Sequence, residues 1–183
     1  MSYKKYADDF RLETQQRPGK RLKTVAVYRG PRFSLMCSEA EQAKLRRILP
    51  LLSFLPAALF AASLLLNGAI GRQLYVMLPY FCLFLPYCFL CASVCGFLYR
   101  RPPYTREQND KIPCRIAKCA IAVTILTAYA LAASAVAAVL RRSELRMAHD
   151  LPFLALAAAQ LLCALALLRA RPLLATQETA SPQ

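Results

Sequence analysis

Residues 79–95, PYFCLFLPYCFLCASVC, set four of the chain's eight cysteines among aromatic residues and prolines, without a charge. Thiols ligate metals and exchange disulfides, so these are the first chemistries to weigh. Cys88, Cys91 and Cys95 fall at i, i+3 and i+7, one face of a helix, whereas Cys82 points elsewhere. Three sulfurs on one helix cannot close a tetrahedron around a metal without ligands from a second element, and Cys119 and Cys163 are the nearest candidates. A thiolate in an apolar setting is also disfavoured, because burial raises the thiol pKa. The spacing therefore reads as packing. Met77, Tyr80, Phe84, Tyr87, Cys88, Cys91 and Cys95 form a stripe turned toward other helices, with Pro79 and Pro86 opposite. No catalytic residue, metal ligand or cofactor site is assigned.

The elements that carry these residues follow from composition. The 183-residue chain is 57% apolar, yet holds 24 Lys and Arg against 10 Asp and Glu. Both facts fit one chain if greasy and basic residues are segregated, and they are. Residues 48–69, 74–99, 119–140 and 151–168 are long, nearly uncharged runs that read as membrane-spanning helices. The expected fold is an all-α membrane protein, a four-transmembrane-helix bundle. It carries a basic N-terminal region (1–47), a loop (100–118) and a tail (169–183).

Positive charge gives the expected orientation. Lys and Arg number 12 before the first span, 1 in the next loop, 6 in residues 100–118, 3 in residues 141–146 and 2 after the last span. Cationic loops stay in the cytoplasm, so both termini and the middle loop are expected there. No cleavable leader is expected, and the first span serves as the insertion signal. Short loops, unpaired cysteines and no glycosylation-ready outer loop point to a bacterial plasma membrane, with an organelle membrane as the alternative. Lys44, Arg46, Arg47, Arg100 and Arg101 are the expected contacts to anionic headgroups of the bilayer. No groove-reading motif or aromatic platform accompanies the charges, so nucleic acid is not an expected partner.

Local signals place smaller elements. Residues 1–19 read as a loose tail. Thr24–Tyr28 and Arg32–Leu35, flanking Arg29-Gly30-Pro31, read as a small β-hairpin. Ser38 with Glu41, and Thr105 with Gln108, fit capping boxes. The first begins an interfacial helix whose Ala40, Leu45, Ile48 and Leu49 face lipid, bent at Pro50 into the first span. Asp150 is placed as the cap of the fourth span. Residues 78–92 and 151–164 share a weak likeness that would fit two hairpin repeats.

No Asp, Glu, Lys, Arg or His lies inside an expected span, and His149 falls at an outer edge. Small exporters with four spans depend on a membrane carboxylate, and membrane disulfide oxidoreductases on outward cysteines. Neither outer loop holds a cysteine, so the likeness to both stops at span count. What remains polar is Tyr87, Tyr129 and Gln160, one near the middle of each of the last three spans. A phenol or amide facing hydrocarbon lacks partners, so these three are expected to converge as a mid-membrane layer. Small side chains at Ala57, Ala58, Ala61, Ala62, Ala128, Ala132 and Ala135 would allow close helix contacts. The expected function is a non-enzymatic accessory, assembly or regulatory subunit that meets a membrane partner or a second copy of itself. The alternatives are a small transporter or ligand-binding protein built on the polar layer, and an intramembrane redox or metal protein.

Overall fold

The structure is a computed structural model describing residues 3–15, 23–66, 68–145 and 147–179. Among them are four helices long and apolar enough to cross a membrane: Glu39–Leu64, Leu74–Tyr99, Arg106–Leu140 and Met147–Leu174. Each corresponds to one expected span. The first is a single helix, α1 (Glu39–Leu64). The second is broken into α2 (Leu74–Cys82) and α3 (Phe84–Tyr99). The third joins a short α4 (Arg106–Lys111) to α5 (Pro113–Leu140), and the fourth is α6 (Met147–Ala170) with a closing 3-10 turn. α1 packs on α6 and α3, and α5 packs on α6, α2 and α3, so the helices close into a four-membered ring.

The packing follows a shared period. Along α2 and α3 a buried seam runs through Val76, Tyr80, Leu83, Tyr87, Leu90, Val94 and Phe97, alternately four and three apart, with Pro79 and Ser93 buried beside it. In α5 the seam is Ile116, Ala120, Val123, Thr127, Ala130, Ser134 and Ala137. α6 repeats the pattern with Asp150, Phe153, Ala157, Gln160, Ala164 and Leu167. A mean period of 3.5 is that of a helix seam facing partner helices. The outward faces stay apolar, with Phe54, Leu78, Phe81, Leu85, Ile125 and Leu162 all exposed. Such a surface suits lipid and not water.

This seam corrects the expected stripe. Tyr80 and Tyr87 face inward, but Met77, Phe84 and Cys88 are exposed and Pro79 is buried. The stripe followed the cysteines, whereas the buried face follows the large apolar residues one position away. The alanines named for close approach also turn outward, except the half-buried Ala57, and Ala120, Ala130 and Ala137 take their place. The break at Leu83 has a local cause. Pro86 brings no N–H to the carbonyl of Cys82, and its ring crowds that carbonyl. The chain turns there through a Leu83 N–H bond to the Tyr80 carbonyl at 3.2 Å. α6 has no such break, so the two segments compared as repeats differ in form.

The residues outside the helices form two small sheets at one end of the bundle. Strand β1 (Phe10–Gln15) pairs antiparallel with β2 (Lys23–Tyr28). Strand β3 (Arg32–Leu35) lies between β4 (Tyr104–Thr105) and β5 (Thr176–Thr179). The expected hairpin is thus corrected: its two strands belong to different sheets. Pro31 follows Gly30 at the junction, and the Tyr28 hydroxyl, donating to the Pro31 carbonyl at 2.7 Å, holds the chain away from a direct return. The expected loose tail is ordered over 3–15, while 16–19 lie outside the described residues. The expected interfacial helix is also corrected. α1 runs through Pro50 as one helix, and Leu45 and Leu49 are buried in the protein core. At about 1.5 Å per residue, its 26 residues are longer than a hydrocarbon core of roughly 30 Å.

Both capping boxes form. The Ser38 hydroxyl accepts from the Glu41 N–H at 3.3 Å, and Glu41 accepts from the Ser38 N–H at 2.9 Å. Thr105 and Gln108 make the same exchange at the start of α4. Asp150 departs from its expected role. α6 begins at Met147, which puts Asp150 inside its first turn. The buried carboxylate instead accepts from the N–H of Ile70 at 3.0 Å, across the bundle end. Gly68 leaves it room, since a Cβ there would lie 2.1 Å from Oδ1 of Asp150.

Candidate functional site

Gln160 is fully buried on the seam of α6. Its Nε2 donates to the Tyr80 hydroxyl at 2.6 Å. That hydroxyl lies 2.8 Å from Oγ of Ser63, and Ser63 donates to the Phe60 carbonyl at 2.6 Å. A carbonyl only accepts, so the single Ser63 proton is committed to it. The protons therefore run one way: from Gln160 to Tyr80, from Tyr80 to Ser63, from Ser63 to the backbone. Three spans meet in this chain. Four rings enclose it, with Tyr80 stacked on Phe60 at 5.3 Å and tilted against Phe153 at 5.3 Å, and Tyr87 against Phe60 at 5.6 Å.

Of the three residues expected to converge, the structure brings Tyr87 and Gln160 inside and leaves Tyr129 out. Tyr129 is 59% exposed on the outer face of α5. It lies two positions beyond the seam residue Thr127 and one before Ala130, a rotation that carries it away from the bundle. Tyr80 and Ser63 take its place. The signal for Tyr80 was its seven-residue spacing from Tyr87, which puts both on one face. Six buried atoms have no protein partner among the described residues, and three of them lie on α1, α3 and α6: Oγ of Ser53, the Tyr87 hydroxyl and Oε1 of Gln160.

Above the cluster, at the end of the bundle remote from the sheets, α1 and α2 part. A cleft of about 230 Å³ opens between them. Leu64, Val76, Phe81 and Phe153 form apolar walls, and Ser63 and Tyr80 are also among the lining residues. Arg72 stands at the rim. The arrangement joins a hydrophobic groove to one fixed hydrogen-bonding point.

The other end of the bundle is basic. Lys44, Arg47, Arg100 and Arg101 are exposed there. Arg46, expected among them, is drawn inward instead. Its guanidinium donates to the Arg100 carbonyl at 2.9 Å and the Leu98 carbonyl at 3.4 Å, and lies 5.5 Å above the Phe97 ring. These are the last carbonyls of α3, which a helix cannot satisfy itself. Burial raises the pKa of the nearby Cys37 thiol, and of Cys114, above the ordinary thiol value. All eight cysteines are free thiols, and no three Cys, His, Asp or Glu side chains converge among the described residues.

Comparison of the chain with protein-family models, curated proteins and solved structures found no match.

Proposed function

We propose that this chain is a non-enzymatic, multi-pass integral membrane protein that holds a small, weakly polar ligand in the cleft between its first two spans. The observation that carries the reading is the Gln160–Tyr80–Ser63 chain, two of whose members, Tyr80 and Ser63, line the cleft. A polar layer that only set helix register would need no opening above it and would leave no acceptor unpaired. Here Oε1 of Gln160 has no protein partner among the described residues, and Tyr80 and Ser63 line a mostly apolar groove. Ligand pockets combine mostly apolar walls with a few placed polar groups, over roughly 300–1,000 Å³ for drug-sized molecules. This cleft, at about 230 Å³, suits something smaller, such as a short acyl or prenyl segment ending in a hydroxyl or amide.

The test is mass spectrometry of small molecules retained by the full chain after mild detergent extraction. Wild type is expected to retain an organic molecule, and Gln160→Leu and Tyr80→Phe to lose it while still folding. An empty wild-type protein, or retention unchanged in both variants, would overturn the reading.

A second reading, an accessory subunit, is favoured by the sheet that ties the N-terminal region, the middle loop and the C-terminal tail together. Those segments hold 20 of the 24 Lys and Arg residues, so positive-inside bias supports placing that end in the cytoplasm of a bacterial cell. A stoichiometric protein partner in the same extraction would support this reading, and a self-assembled oligomer would support the first.

A further inference from the structure

At the basic end, α3, α4 and the start of α5 enclose a second concavity of about 330 Å³, separate from the cleft. We infer that this pocket binds a phosphate group. Its wall is made by Gly96, Arg100, Gln108, Lys111, Ile112 and Arg115. Three consecutive elements thus each contribute a cation. One carboxylate, Glu107, shares the lining, and Lys111 already engages it as an ion pair. Arg115 rests over the Phe89 ring at 5.5 Å, which holds its guanidinium in place without neutralising it. Like charges gathered around a low-dielectric wall repel one another, and an anion between them relieves the repulsion. Guanidinium groups match phosphate oxygens with paired N–H donors.

The pocket is also built to stay in shape. The Arg100 carbonyl is held by Arg46, and Oγ of Ser93 donates to the Lys111 carbonyl at 3.0 Å, pinning α4 to α3. Gln108 commits its Oε1 to the capping box, leaving its N–H donors. Gly96 sits where a Cβ would come within 3.3 Å of Ile112, so α3 and α5 close tightly at the base. Apolar lining from Ala92, Gly96 and Ile112 would take the carbon side of a phosphoester, while the cations take its oxygens. The ligand class is therefore a phosphate ester, whether a lipid headgroup or a soluble phosphate. The inference does not need the upper cleft to bind anything. It rests on the membrane reading only where the source is lipid.

The experiment uses the purified full chain in neutral detergent. Native mass spectrometry follows retention of phosphatidylglycerol against a neutral lipid, and thermal unfolding follows addition of inorganic phosphate. Each charge-assisted hydrogen bond is worth enough that Arg100→Gln with Arg115→Gln should weaken binding by about tenfold or more. Arg106→Gln with Lys118→Gln removes the same charge outside the pocket and should leave binding unchanged. Ala92→Phe keeps every charge and fills the mouth, and it should also abolish binding. Loss of phosphatidylglycerol in the pocket variants assigns a lipid source, and loss of the phosphate-induced stabilisation assigns a soluble one. Binding of neither probe by wild type, equal loss in the control pair, or wild-type binding by Ala92→Phe would overturn the proposal.

Discussion

Gln160 places a fully buried amide inside the bundle, and its neighbours decide how much that matters. Hydrogen bonds between membrane helices are worth about 0.6 kcal/mol on average. Gln160→Leu should therefore lower stability by about that amount, measured as unfolding in mixed detergent. Tyr80→Phe should lower it more, by about 1–3 kcal/mol, because it strands the buried Gln160 donor. At the other end, Glu41 titrates below the ordinary carboxylate value, held down by hydrogen bonds from the Ser38 backbone and hydroxyl. A group with a lowered pKa stabilises the fold above its unfolded value and stops doing so as pH falls through the folded one. The first turn of α1 should therefore fray on acidification, and a carboxyl NMR titration of Glu41 should shift upward in Ser38→Ala. Depth was legible in the sequence and azimuth was not. Counting from each span's midpoint found Gln160 and Tyr87, but it also picked Tyr129, which only the four-three alternation of neighbouring seam residues turns outward.

Elements built from local signals were legible, and those built from distant partners were not. The two capping boxes each need four consecutive residues, and both form. The break at Leu83 is set by a proline three residues on, Pro86, a local signal of the same kind. The sheets could not be read, because β3 draws its partners from β4 and from β5, far along the chain. Nor could the contact between Asp150 and the first loop, which depends on Gly68 having no side chain. Gly68→Ala should force the carboxylate off Ile70 and cost about 1–3 kcal/mol. In a double-mutant cycle with Asp150→Ala, the second substitution should cost less than it does alone, measured by thermal unfolding. Additive losses would mean that Gly68 acts through something other than this carboxylate.

At the scale of the whole molecule, one sheet fixes how the chain is laid out. The N-terminal region, the middle loop and the C-terminal tail each supply a strand to it, so all three lie at the same end of the bundle. A membrane-impermeant thiol reagent should reach cysteines placed at Thr105 and Thr179 from the same side. In a background with Cys37 replaced by serine, Ser34→Cys and Gln177→Cys, which oppose each other in the register, should cross-link under mild oxidation. Labelling from opposite sides would dismantle the arrangement. The same sheet also dictates an order of events during synthesis. β4 meets β3 only at Arg32 and Phe33, whereas β5 meets all four of its residues, and of these three strands β5 is synthesised last. Until β5 has emerged, after all four long helices, β3 waits with an open edge, exposed to whatever strand arrives first.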